Sequence, residues 1–333
     1  MNRHRFRAGL RKAHPARHLT LGLFVAAAML VAPLGAVWPQ DGGRGSADAG
    51  ADATVITGPR RVAAVWKAYW NGLLVFELDA TLNLGDARYD LAFTTRTRGV
   101  LSWFYDNSTE VEARGQLLNG AARPALYRLT GEDGDDPYEI ALSFGPDGAL
   151  VSEHLALPED WLEDWPRKPV PEDMKAAPDP VAAALPAFLG DLPRQGLEPM
   201  QAFNGRTVAK SRLSCEDSPV QLAESRRTDF HGEALACDLD GEVVAGLPVW
   251  DEGKWPEVRK ERKKRAEKRE KRKARGKPPK EEEQRLILYL QQVPQAGLVL
   301  PVRMEIFGWG KATVYLTDLD VTPLGERAVK SAR

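Results

Sequence analysis

Residues 73–83, LLVFELDATLN, place Leu74, Phe76, Leu78, Ala80 and Leu82 on one face and Glu77, Asp79 and Thr81 on the other. Side chains of an extended chain point to alternate sides, so this period of two commits the segment to a strand buried on one face only. The alternation returns in RYDLAF, where Tyr89, Leu91 and Phe93 align, and in YEIALSF, where Tyr138, Ile140, Leu142 and Phe144 align. Between the runs stand Asn71-Gly72, Asn119-Gly120 and Asp147-Gly148, dipeptides that tolerate the positive φ of tight hairpin turns. The pattern is that of an antiparallel meander.

Strand patterns resume in GRTVAKSRLSC, EALACDLDGEVVAG, RLILYLQQV, LVLPVRMEIFG and KATVYLTDLDV, for about eleven strands in all. Proline is dense from Pro158 to Pro193, where only Pro180 to Leu189 suits a short helix, capped by Asp179 with Pro180 in its first turn. No strand–helix–strand alternation occurs, which argues against a doubly wound dinucleotide fold. With so many strands and so little helix to cover them, the sheet must curl to bury a face and protect its edges. The expected fold is mainly β: a single strongly curved antiparallel sheet or open barrel, with a Pro-rich crossing segment and one inserted charged helix.

The organisation read from the sequence is a leader at residues 1–38, a Gly-, Ala- and Asp-rich linker at 39–61, a β-rich domain at 62–319 and a tail at 320–333. Arg3, Arg5, Arg7, Arg11, Lys12 and Arg17 precede the apolar run LTLGLFVAAAMLVAPLGAV, which reads as an export signal. A cut after Ala36 would follow LGA, although Leu34 is larger than the small residue preferred there. The run also approaches the roughly 20 apolar residues that span a bilayer, so an uncleaved inner-membrane anchor is the alternative. Either way the domain is expected in the periplasm.

A net charge of -1 conceals a strongly basic stretch from Lys254 to Gln284, KWPEVRKERKKRAEKREKRKARGKPPKEEEQ, of which 254–283 is read as a charged helical insertion. Arg259, Lys260, Lys263, Lys264, Arg265, Lys268, Arg269 and Arg272 carry most of it, with Glu267 and Glu270 spaced to pair along a helix. It has no apolar stripe and no interleaved aromatic residues, so it neither inserts into a membrane nor stacks on bases. Export separates it from DNA and RNA, and nucleic acid is not its expected partner. Two readings stay open: a solvated insertion without a partner, or a contact with anionic envelope material.

No catalytic signature is found. The exported part keeps only His154 and His231, with no metal-binding spacing, no nucleophile elbow and no phosphate-binding glycine loop, so no catalytic residue, metal or cofactor is assigned. The aromatic residues Trp66, Trp70, Phe76, Tyr89, Phe93, Trp103 and Tyr127 fall mostly on strands and are the candidate ligand-binding set. They either line a cavity for a lipid or other apolar envelope ligand, or simply fill the core. Cys215 and Cys237 are the two cysteines, each after a short strand-like segment; a cross-strand disulfide and two separate buried thiols are both compatible with that.

The segments YWNGLLVFELDATLNLGDARYDLAFTTRTRGVLSWF, ARGQLLNGAARPALYRL, DPVAAAL, FNGRTVAKSRL, ACDLDGEVVAG and LVLPVRMEIFGWGKATVYL together resemble the bacterial family called domain of unknown function 3108. The resemblance runs from Val62 to Leu319 and rests on Gly72, Gly99, Gly115, Pro124, Gly205, Gly246, Pro301 and Arg303. It implies an exported β-rich protein and no particular activity. Two departures are the position of Cys215, after the FNGR strand rather than near or before it, and the long charged insertion.

Two functions are expected: a binding module holding an apolar envelope ligand in the curved sheet, or a structural or assembly protein working through surface contacts with envelope proteins or polymer. A glycan enzyme is a third and weaker alternative. A reporter fused to the C-terminus is expected to be active outside the cytoplasm, and activity confined to the cytoplasm would overturn the export reading.

Overall fold

A computed structural model of the chain describes residues 58–103, 107–133, 136–164, 166–189, 199–249, 285–307 and 311–324. The charged insertion, the leader and almost all of the linker lie outside them. The first seven strands follow one another as a meander: β1 (Arg60–Trp70), β2 (Leu73–Leu84), β3 (Arg88–Thr97), β4 (Asn107–Leu118), β5 (Ala121–Asp133), β6 (Asp136–Phe144) and β7 (Leu150–Ala156). A crossing segment then carries α1 (Glu159–Asp164), a 3-10 turn (Glu172–Ala176) and α2 (Pro180–Ala184), which continues into a second 3-10 turn (Leu185–Phe188). The second meander comprises β8 (Met200–Phe203), β9 (Val208–Cys215), β10 (Val220–Leu222), β11 (Gly232–Ala245), β12 (Arg285–Val293), β13 (Leu298–Phe307) and β14 (Ala312–Pro323).

All pairings are antiparallel, and β1 and β14 join the two meanders into one sheet of order β7-β6-β5-β4-β3-β2-β1-β14-β13-β12-β11-β9-β8, with β10 beside β11. Among the described residues this is a single antiparallel sheet whose two end strands do not pair, as the alternation led one to expect. β1 pairs with β14 from Arg60↔Pro323 to Trp70↔Ala312, so the ladder runs past both expected domain boundaries, Val62 and Leu319. The described residues form fourteen strands rather than about eleven; β8 and β10, at four and three residues, are too short for periodicity to reveal.

The turns follow their local chemistry. Asn71 and Asn119 have φ of 48° and 52°, and the glycines after them are also positive, which gives two tight two-residue hairpins. Asp147-Gly148 behaves differently: only Gly148 is positive, and Gly145 N–H bonds to the Ala149 carbonyl across a longer loop in which Asp147 Oδ1 accepts from Ala149 N. An aspartate that accepts from its own loop has no need of the left-handed region.

Curling is visible where the sheet ends meet. Gly205, in the β8–β9 turn, lies against β6 and β7: a Cβ there would stand 2.6 Å from Ile140 Cγ2 and 3.5 Å from Leu155 Cδ2. Only a bare Cα allows that approach, and its φ of 87° also favours glycine. Inside the curl, α2 packs on β4, β5 and β8, and the turn after it on β5 and β13. Val181, Ala182 and Leu185 thereby join Val111, Leu142, Phe203, Val208, Leu288, Leu298 and Leu316 in one continuous core.

Pro301 marks an irregularity with a physical cause. Proline cannot donate to a ladder, and the β12–β13 register slips beside it, between Tyr289↔Arg303 and Leu290↔Pro301. β13 accordingly pairs with β14 only from Arg303 to Ile306. Beyond that stretch the Pro301 carbonyl accepts the Trp66 indole N–H at 2.8 Å, and the Leu316 carbonyl accepts the Thr228 hydroxyl.

Cys215 and Cys237 stand directly opposite each other on β9 and β11 and are disulfide-bonded, which decides between the two readings left open. The bond closes a loop with a sequence separation of 22 residues. Replacing both cysteines by alanine is expected to lower unfolding free energy by about 3 kcal/mol, read from urea midpoints against the oxidised parent; an unchanged midpoint would show the bond to be without consequence.

Candidate functional site

The seven aromatic residues divide between the core and the surface. Trp66, Phe76, Tyr89, Phe93 and Tyr127 are buried side chains of the core, whereas Trp70 is 42% and Trp103 80% exposed. Trp70 ends β1 next to the Asn71-Gly72 turn, and Trp103 ends the short turn Gly99–Trp103, so neither continues the buried face. The space left beside Trp66, Phe76 and Leu78 is about 10 Å³, far smaller than a pocket for an acyl chain. The basic residues Arg259, Lys260, Lys263, Lys264, Arg265, Lys268, Arg269 and Arg272 lie outside the described residues. His154, on β7, and His231, before β11, are both exposed. Among the described residues no three His, Cys, Asp or Glu side chains are placed to hold a metal ion, and no helix is long and apolar enough to cross a membrane.

Asp179 is the most deeply buried charged residue among the described residues. It is fully buried and caps α2: Oδ1 accepts from Val181 N at 2.8 Å and Ala182 N at 3.0 Å. Pro180 at the first position has no N–H of its own to satisfy, so a single oxygen serves the amides that remain. Oδ2 has no hydrogen-bond partner, and neither has the buried Tyr89 hydroxyl. Burial raises the Asp179 carboxyl to about 7 despite the backbone amides that favour its charge. Burial, and then the charge of Asp179, push the Tyr89 and Tyr127 hydroxyls well above their ordinary range.

An open groove of about 240 Å³ lies on the opposite, outer side of the sheet. Its floor comes from β11–β13 and its wall from the 216–222 segment, through Glu216, Gln221, Asp238, Arg285, Tyr289 and Arg303. Arg285 grips Asp238 with two bonds, 2.5 and 2.6 Å. Register places Tyr289, Arg303 and Tyr315 side by side on three neighbouring strands. The Arg303 guanidinium carbon lies 5.4 Å from the Tyr289 ring and 5.7 Å from the Tyr315 ring. Arg303 also pairs with the buried Glu305, which Lys311 reaches at 2.9 Å. The row continues through Tyr69, edge-on to Tyr315 at 6.0 Å, to Arg227 over Tyr69 at 4.2 Å.

Such a row combines guanidinium donors, carboxylate acceptors and ring faces, the parts of a polar recognition surface. It contains no nucleophile matched to a base. Of these residues only Arg303 was singled out in the sequence, among the positions of the family resemblance. The others could have been found only from the register, because nothing local marks Tyr289 and Tyr315 as neighbours.

No family model matches the chain, and no curated protein matches it. Among solved structures it is similar to the crystal structure of a β-barrel-like protein of domain of unknown function DUF1849 from Brucella abortus, at 10% identity and a TM-score of 0.34, over 80% of this chain and 99% of that one.

Asp179 makes stability depend on pH. Its value of about 7 in the fold stands above its ordinary 3.8. Between roughly pH 4 and 7 the native state therefore holds a proton that the unfolded chain has lost. The stabilisation is complete below that window and is lost as the pH rises through it, by an amount on the order of 4 kcal/mol. Asp179→Asn keeps the acceptor for both amides and removes the titration. Its urea midpoints are expected to change less than the parent's between pH 5 and 8 and to exceed the parent's at pH 8; parallel pH profiles would refute this.

Proposed function

We propose that this is an exported, non-catalytic protein of the cell envelope that works by surface contact, through the groove on the outside of its curled sheet. The contrast between the two faces carries the reading. The inside is occupied by core side chains and the α2 segment, whereas the outside offers a 240 Å³ groove lined with charged and aromatic groups.

An apolar ligand held within the curve was the other expectation, and the space of about 10 Å³ beside Trp66 and Phe76 does not favour it. A partner suited to the groove offers acceptors to Arg285 and Arg303, donors to Asp238 and Glu216, and a face to Tyr289. A polar envelope polymer or protein segment meets those terms and a fatty chain does not. The apolar leader supports export, and so does the disulfide, a bond that persists in oxidising compartments. Resemblance to the domain of unknown function 3108 family belongs to the same reading. The basic insertion would supply a second, salt-sensitive contact with anionic envelope material.

Two measurements test it together. A photo-crosslinking residue at the exposed position 221 is expected to yield discrete adducts in intact cells, and native mass spectrometry of protein drawn from envelopes is expected to give its bare mass. Stoichiometric lipid with no adduct from position 221 would favour the carrier reading instead.

A further inference from the structure

Away from the groove, two arginines meet where the sheet ends approach each other. After α1 the chain makes a brief antiparallel bridge, Arg167↔Pro248, in which Lys168 N donates to the Leu247 carbonyl at 2.9 Å and Val249 N to the Pro166 carbonyl at 2.7 Å. This sets Arg167 so that Nη1 donates to the Gly246 carbonyl at 2.9 Å, while its Nε is buried without a partner. Arg206 arrives from the β8–β9 turn. Asn204 Oδ1 locks that turn by accepting from Arg206 N, Thr207 N and the Thr207 hydroxyl at 3.0, 2.8 and 3.1 Å. Gly246 is the point of convergence: a Cβ on it would stand 2.1 Å from the Arg206 carbonyl oxygen, so the residue that receives Arg167 also abuts Arg206.

The Arg206 guanidinium lies over the Trp161 ring at 5.7 Å, and Trp161 stacks on Tyr138 at 4.9 Å. Neither arginine has a carboxylate partner among the described residues. Burial, followed by the nearby charge of Arg167, lowers the Arg206 guanidinium to about 10, and burial lowers that of Arg167 as well. Two half-buried like charges converging on Gly246, near enough for one to act on the other and one with an unpaired N–H, are costly unless an anion joins them. Guanidinium forks match the oxygens of a phosphate, and a pair of them matches a doubly charged phosphate better than a singly charged carboxylate.

We infer that Arg167 and Arg206, with the Trp161 ring as the platform that orients Arg206, bind a phosphate monoester or inorganic phosphate at the meeting of the sheet ends. The group could arrive free or on a lipid headgroup. The site shares no residue with the outer groove, so its failure would leave the groove reading intact.

The test uses the disulfide-bonded exported domain. Its melting temperature is expected to rise saturably with inorganic phosphate and not with acetate at equal ionic strength. Arg167→Gln and Arg206→Gln are each expected to weaken that response about tenfold or more, the loss of a charge-assisted pair. Arg206→Lys should retain part of it, and Arg128→Gln, which removes an exposed pair with Glu139, should leave it unchanged. The readout is the phosphate dependence, which a purely structural arginine would not alter. Sedimentation with phosphatidylcholine vesicles containing phosphatidic acid, lost in the double glutamine variant, would assign the phosphate to a headgroup; a response to inorganic phosphate without vesicle binding would assign a soluble one. A response that survives in the double variant, an equal response to acetate, or no binding of phosphate or vesicles would overturn the proposal.

Discussion

Everything in this structure depends on the pairing of β1 with β14. The two strands come from opposite ends of the described chain, and their ladder turns two separate meanders into one sheet. Without it the second meander would have no continuous partner for Val314 and Leu316, both buried, and Trp66 would lose its reach to the Pro301 carbonyl. The entropy of closing so long a loop is recovered only once the whole ladder is in place, so this contact is among the least local in the molecule. By contrast, the disulfide and the two tight hairpins are local staples on sheet regions that the central ladder brings together.

A curled sheet has to settle what occupies its inner face, and here the answer is protein. α2 and the turn after it enter the curl with alanine, valine and leucine, at the cost of carrying a helix start into a dry interior. Asp179 meets that cost by accepting from the amides that Pro180 leaves over, and its second oxygen is the residual expense. Polar chemistry is thereby displaced outward. Facing strands assemble an arginine between two tyrosines on the convex side, and the crossing segment assembles a second cationic centre where the sheet ends meet.

The strands were legible because alternation is a local property: Leu78, Leu82, Tyr89 and Leu142 could be assigned to the buried face from their neighbours alone. Asp179 and α2 were legible for the same reason, since a capping residue followed by proline signals a helix start. The occupancy of the curved interior was not legible. Trp66 and Trp70 share a strand and a parity, yet one is core and the other is exposed because the strand stops at the turn. Arg167 carries no sequence mark, and Arg206 only its place in the FNGR segment of the family resemblance. Their meeting depends on a two-bond bridge between residues 166–168 and 247–249, a tertiary event without local precursor. The groove was equally hidden, because Tyr289, Arg303 and Tyr315 become neighbours only once a register slipped at Pro301 is known.

The two outermost strands, β7 and β8, make no ladder with one another among the described residues; Gly205, in the turn after β8, nestles on Ile140 and Leu155, and the salt link from Lys175 to Glu153 ties the crossing segment to β7. The curled sheet is thus buttoned at these points rather than welded. Parting β7 from β8 would break side-chain contacts and no ladder bond between the two, so the seam costs the sheet less backbone hydrogen bonding than any other line between its strands.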